Sequence, residues 1–171
     1  MLIDWPYPKI IAHRGAGKLA PENTLAAMKL GFELGQRMVE FDVKLSADDL
    51  PVLMHDASLD RTTNGSGPLR QLAWAQLVKL DAGAWHSQAF VGEAIPSLDQ
   101  VLSYLQARAM LANVEIKPSP GLETHSGGLI ARACASLWAN QKVDLLLSSF
   151  SEPALHAARL AAPRTVRRSC A

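Results

Sequence analysis

Cysteine is nearly absent. Cys134 and Cys170 are the only two among 171 residues, and neither stands in a C-x-x-C pair. A disulfide framework and a thiolate metal site are therefore excluded as organising principles. Cys134 falls in a helical run, where a small buried residue is expected. No sign of charge dominates either: 17 basic against 16 acidic residues leave a net +1, which gives no electrostatic case for nucleic acid or an anionic membrane as partner. No apolar run approaches the roughly 18–20 residues needed to span a bilayer. The start, Met1-Leu2-Ile3-Asp4-Trp5-Pro6, has neither a basic n-region nor an apolar h-region, so no secretory signal and a reducing, cytoplasmic setting are expected. Internal repeats and low-complexity tracts are missing as well.

What is present fits one globular domain with a substantial core: 49% hydrophobic and 19% charged residues. The most informative stretch is Met38-Val39-Glu40-Phe41-Asp42-Val43-Lys44-Leu45. At period two, Val39, Phe41, Val43 and Leu45 form an apolar face, and Glu40, Asp42 and Lys44 form a polar one. The two carboxylates then lie about 7 Å apart along the strand. A half-buried strand with its polar face in solvent would read the same way. Three other hydrophobic runs also end in polar groups suited to phosphoryl chemistry: Ile10-Ile11-Ala12-His13-Arg14, Val52-Leu53-Met54-His55-Asp56 and Asn113-Val114-Glu115-Ile116-Lys117. Four strands with functional groups at their C-terminal ends is the arrangement of an α/β-barrel active site.

Taken in order, the run Lys9 to Ala12 leads through Gly15 and Gly17 to a helix capped by Asn23 or Thr24 and stopped at Gly35. The order strand–helix–strand implies parallel pairing with the acidic strand. After Pro51 to Met54, residues 57–95 form a long excursion with a helix at Gln71 to Leu80, and Trp74, Trp85 and Phe90 are expected to form its small core. Ser97-Leu98-Asp99-Gln100 is a capping box that opens a helix to about Arg108. Met110 to Lys117 reads as the fourth strand, with Asn113, Glu115 and Lys117 on one face. A helix near Gly128 to Asn140, a fifth strand from Val143 to Ser148 and a helix from Ser151 to Ala162 follow. Beyond Pro163 the pattern turns basic and predicts no sixth strand.

Glu40, Asp42 and Glu115 are oxygen donors suited to a hard divalent ion, Mg²⁺ or Ca²⁺. His13 and His55 can act as a base and acid pair, and Arg14 and Lys117 can bind non-bridging phosphate oxygens.

The motifs Ala12-His13-Arg14-Gly15, Pro21-Glu22-Asn23-Thr24, Glu40-Phe41-Asp42-Val43, His55-Asp56, Asp60-Arg61-Thr62-Thr63-Asn64-Gly65 and Glu115-Ile116-Lys117 resemble the glycerophosphodiester phosphodiesterase family from about Trp5 to Pro163. Trp5-Pro6-Tyr7-Pro8 and Asp81-Ala82-Gly83-Ala84-Trp85 look most like its bacterial cytoplasmic branch. The resemblance implies a TIM (β/α)₈ barrel with a small insertion after the third strand, here truncated after about five β/α units. It implies a single partial-barrel domain over 1–171, an inserted subdomain at 57–95 and an atypical tail at 164–171. The implied activity is Mg²⁺- or Ca²⁺-dependent hydrolysis of deacylated phospholipid head groups to sn-glycerol 3-phosphate and an alcohol. In that scheme Glu40, Asp42 and Glu115 are metal ligands, His13 and His55 the catalytic pair, and Arg14 and Lys117 the phosphate ligands. The implied partner is a small glycerophosphodiester, with neither nucleic acid nor membrane, and open barrel edges offer a route to self-association. Two alternatives stay open. One is an inactive truncated barrel that keeps its site residues. The other is a phospholipase-type relative that shares a histidine pair, against which the joint retention of Glu40, Asp42, Glu115 and Lys117 argues.

Overall fold

The computed structural model describes residues 5–143, 145–163 and 166–169, the last four by their backbone. Among the described residues, five α-helices and five strands alternate along most of the chain. They are α1 Leu25–Glu33, β1 Met38–Leu45, β2 Pro51–Leu53, α2 Trp74–Leu77, α3 Leu98–Gln106, β3 Leu111–Ile116, α4 Glu123–Leu137, β4 Leu146–Ser149, α5 Glu152–Ala161 and β5 Val166–Ser169. The sheet order is β2-β1-β3-β4-β5. β1, β3, β4 and β5 are parallel neighbours, each successive pair joined through helices, and this is a partial (β/α) barrel.

The acidic strand has both faces buried, so the half-solvated reading of it does not hold. Val39, Phe41 and Val43, with Val114, Ile116 and Leu147 from the neighbouring strands, pack outward against α1, α3, α4 and α5 in one aliphatic core. Met38, Leu146 and Tyr7 pack together at the opposite face, beneath the polar residues that follow them along the same strands. Cys134 lies in the helical core, and burial pushes its thiol up to about 12. Thr24, not Asn23, is the N-cap of α1, its hydroxyl accepting from the Ala27 N–H at 3.2 Å. Ser97 and Gln100 form the capping box of α3 as expected.

Several elements depart from the sequence reading. The first strand shrinks to one bridge, Ala12 beside Val39 in parallel. Its edge of β1 is shared with others: Met38 O and Glu40 N pair with Ala12, while the Asp42 carbonyl accepts from Met54 N. β2 runs antiparallel to β1, with Val43 opposite Leu53 and Leu45 opposite Pro51. Only Ser46–Leu50 connects them, and a parallel crossover needs about a dozen residues. The expected helix at 71–80 is reduced to α2. The core of the 57–95 excursion is aliphatic, with Leu59, Leu69, Leu77 and Ile95 packed on Val52 and Met54. Trp74 packs at its margin, whereas Trp85 is 41% exposed and stacks edge-on with His86, which in turn meets Phe90.

α4 begins five residues before the expected Gly128, and β4 starts at Leu146 rather than Val143. β5 is a sixth segment where none was expected, laid in register along β4 from Leu146↔Val166 to Ser149↔Ser169. The free edge of a parallel strand pairs with any extended backbone, which composition alone does not reveal. Arg164, Thr165, Cys170 and Ala171 of the tail lie outside the described residues.

Gly127 explains the position of α4. A Cβ built there would lie 2.1 Å from the Ala154 carbonyl oxygen, so the glycine is what allows α5 to cross at that distance. Gly127→Ala is expected to cost about 1–3 kcal/mol through overpacking, despite the better helix propensity of alanine. Urea unfolding with an unchanged m-value would show it, and a more stable variant would contradict this packing.

Candidate active site

β1 and β3 run side by side with Asp42 opposite Glu115 and Glu40 opposite Asn113. Paired residues of parallel strands point to the same face, so the register brings three carboxylates together. One oxygen from each of Glu40, Asp42 and Glu115 lies within 4.8 Å of the others, and all three residues are buried. Glu40 Oε1 is buried and accepts no hydrogen bond from the described residues. Burial first, and then the Asp42 charge, push the Glu40 carboxyl up to about 8. Three converging carboxylates, with buried Glu40 Oε1 and Glu115 Oε1 accepting no hydrogen bond from the described residues, fit a divalent cation of the Mg²⁺ or Ca²⁺ kind.

Cations surround the acids. Lys117 Nζ lies 2.9 Å from Glu115 Oε1, outside the alignment of a hydrogen bond, and 3.5 Å from Asp42 Oδ1. Burial draws the Lys117 ammonium down, but these carboxylates hold it above its ordinary value. Arg14 Nε is 3.4 Å from Asp42 Oδ2, and Arg14 Nη1 donates to Glu22 Oε1 at 2.8 Å. The Arg14 backbone has φ 53°, a left-handed conformation, and its N–H donates to Glu40 Oε2 at 3.0 Å. Gly15 follows at φ 102°, where an added Cβ would meet Ala27 Cβ at 2.6 Å. This glycine serves the packing of the loop on α1. Buried Lys44 donates to the Lys117 carbonyl at 3.2 Å, and burial, reinforced by the Lys117 charge, lowers its pKa.

The histidines come from two loops. His13 Nε2 is 3.9 Å from Glu40 Oε2, with a mostly exposed side chain. His55 leaves β2 at a bend, and its Nδ1 is 2.6 Å from Asp56 Oδ1. Because β2 is antiparallel, His55 does not follow a parallel barrel strand as expected. It joins the acids through Asp56, Arg61, Glu22 and Arg14, in that order.

Glu22, Asp56 and Arg61 stood out in the sequence only as motif residues, and Asn23 only as a motif residue and a candidate helix cap. Asn23, at φ 60°, accepts from Asp42 N at 3.1 Å and donates to Asp42 Oδ2 at 2.9 Å. It thereby closes the edge of β1 left open between Ala12 and Met54. Asparagine tolerates the left-handed conformation, and that is the signal that would have separated it from Thr24 as a cap.

The fold and this cluster define a partial (β/α) barrel with an acidic pocket on its inner face. Residues 13–169 match the Glycerophosphoryl diester phosphodiesterase family, and the chain belongs to that family. The match runs through the basic segment after Pro163, where the sequence reading had ended the resemblance. A glycerophosphodiester phosphodiesterase of Caldanaerobacter subterraneus subsp. tengcongensis is 43% identical over 118 residues, which are 67% of this chain and 49% of that protein. Glycerophosphodiester phosphodiesterase 1 of Bos taurus is 45% identical over 95 residues, 54% of this chain and 29% of that one. An Oleispira antarctica phosphodiesterase, solved in complex with the product sn-glycerol-3-phosphate, superposes with a TM-score of 0.88 at 38% identity, covering 95% of this chain and 65% of that one. A glycerophosphodiester phosphodiesterase of Agrobacterium tumefaciens gives 0.80 at 36%, with 91% and 63% covered. The chain thus spans about half the length of the bacterial curated relatives it matches and under two thirds of these structures. No helix among the described residues is long and apolar enough to cross a membrane.

Proposed function

We propose that the chain hydrolyses glycerophosphodiesters, such as glycerophosphocholine or glycerophosphoethanolamine, to sn-glycerol 3-phosphate and an alcohol. The observation that carries this reading is the carboxylate triad with its unpartnered Glu40 oxygen, flanked by His13, Arg14 and Lys117, with His55 linked to it through Asp56, Arg61, Glu22 and Arg14. The product bound to the Oleispira relative supports the substrate class. Glu40, Asp42 and Glu115 would hold one Mg²⁺ or Ca²⁺, which when bound supplies positive charge against the developing phosphorane. Arg14 and Lys117 hold non-bridging oxygens of the phosphodiester. One histidine takes the proton of the attacking nucleophile as its oxygen bonds to phosphorus, and the other protonates the alkoxide as the P–O bond breaks. We place this activity in the cytoplasm, in one barrel domain over 1–171, with 57–95 as a subdomain inserted in it. The partner is a small molecule, with no role for nucleic acid or membrane.

A second reading keeps the same site residues. In it the open barrel edges pair between copies to complete the pocket, or the chain retains its site residues without turnover. Turnover by the wild-type chain decides between enzyme and inert barrel, and His13→Ala and His55→Ala test the acid/base assignment. Each is expected to lower release of glycerol 3-phosphate by about 10²–10⁴-fold while leaving the thermal midpoint nearly unchanged. Activity that survives both substitutions would refute the acid/base assignment.

A further inference from the structure

The acid/base reading leaves Glu22, Asp56 and Arg61 without a role, yet contacts of 2.6–2.8 Å join them to one another, to His55 and to Arg14. Asp56 employs both oxygens: Oδ1 lies 2.6 Å from His55 Nδ1, and Oδ2 accepts from Arg61 Nε at 2.6 Å. Arg61 then forks onto Glu22, with Nη1 to Oε2 at 2.8 Å and Nη2 to Oε1 at 2.7 Å. Glu22 Oε1 also receives Arg14 Nη1 at 2.8 Å. Adjacent residues of an extended strand point to opposite faces. His55 and Asp56 meet only because the chain bends directly after Met54.

We propose that Asp56, anchored by Arg61 and Glu22, is a positioning residue that fixes the neutral His55 ring with its proton on Nδ1 and frees Nε2 for the proton of the substrate. The proposal rests on the reading of His55 as acid or base. An ionised carboxylate only accepts hydrogen bonds, so the ring nitrogen that meets it must donate. Hydrogen bonding from Arg61, aided by His55, holds the Asp56 carboxyl down to about 2, so it is ionised throughout the neutral range. Burial alone would raise the Glu22 carboxyl, but Arg61 and Arg14 hold it below its ordinary range. The planar fork of Arg61 grips both oxygens of Glu22 while its Nε holds Asp56, which a lysine could not do. Two further contacts tie the same excursion to the loop that carries His13 and Arg14 and to the first turn of α1 that follows it. His86 Nε2 lies 3.0 Å from the Lys18 carbonyl, and Glu93 accepts from Ala26 N at 3.0 Å. The excursion is thus a brace that holds both histidine loops in one frame.

Asp56→Asn gives a sharp test, because Arg61 Nε can only donate. The new amide must turn its oxygen to Arg61 and its NH₂ to His55 Nδ1, which then has to accept. Long-range ¹H–¹⁵N spectra of histidine-labelled, metal-free protein above the imidazole titration should show His55 protonated on Nδ1 in the wild type. The proton should move to Nε2 in Asp56→Asn. Adding Arg61→Met should restore the Nδ1 proton, since the amide is then free to turn round. In turnover, Asp56→Asn should lower kcat by about 100-fold with KM within about threefold, and the double variant should recover part of the loss. Arg61→Met alone, at a nearly half-exposed side chain, should keep the tautomer and lower kcat by about tenfold. A wild-type His55 protonated on Nε2, or an Asp56→Asn variant that keeps the Nδ1 proton, would overturn the proposal. A wild-type chain with no turnover but with the three predicted tautomers would refute the enzymatic reading and leave this one standing.

Discussion

Asp42→Asn is expected to lower hydrolysis of a glycerophosphodiester by about 10³-fold and to weaken divalent-cation binding by at least 10–100-fold. Asp42 is 1% exposed and is the meeting point of the pocket, in contact with Arg14 Nε, Lys117 Nζ and both polar atoms of Asn23. An asparagine keeps the Asn23 contact only by presenting its oxygen there. Its NH₂ then faces Lys117 and the cation position, a donor where an acceptor is required. Folding should survive, because Lys117 keeps Glu115 and Arg14 keeps Glu22. Loss of a neighbouring negative charge should also ease Glu40 back toward the ordinary glutamate range. Steady-state kinetics and calorimetric cation titration on the same preparation check both parts. Activity within tenfold of wild type would remove Asp42 from the metal site.

The second large effect concerns pH. Glu40 has its folded pKa raised from 4.5 to about 8 by burial and by Asp42. A carboxyl raised in the folded state contributes stability that is fully present below the unfolded value and is lost as pH rises through the folded one. In EDTA the stability should therefore fall between about pH 4.5 and 8, by on the order of 4 kcal/mol. A divalent cation should reverse that loss above neutrality, and its binding near pH 7 should release close to one proton, seen as a dependence of the binding heat on buffer ionisation. Glu40→Gln should flatten the EDTA profile. A metal-free thermal midpoint that rises from pH 5 to pH 8 would contradict the assignment.

Much of the pocket was legible because it follows from periodicity and register. Period two in Met38–Leu45 put Glu40 and Asp42 on one face, and the same alternation put Asn113 and Glu115 on one face of β3, with Lys117 directly past its end. What it did not disclose was that this polar face is buried too. The antiparallel β2 was within reach, since Ser46–Leu50 is too short for a crossover. Reading the run only for its terminal His55 hid the hairpin. The capping chemistry at Ser97–Gln100 is local and was read correctly. The early start of α4 was not, because Gly127 and Gly128 disfavour a helix locally and only the approach of α5 explains the first of them. The Arg61–Glu22 pair joins residues 39 apart, and no local pattern records that.

The central claim is that the acidic pocket of this chain is a working metal-dependent site. The most direct measurement is release of glycerol 3-phosphate from glycerophosphocholine by the purified 171-residue chain, in Mg²⁺, in Ca²⁺ and in EDTA. The account predicts turnover with a divalent cation and none in EDTA. Turnover undiminished by EDTA, or none with either cation from a chain shown by circular dichroism to be folded, would contradict it.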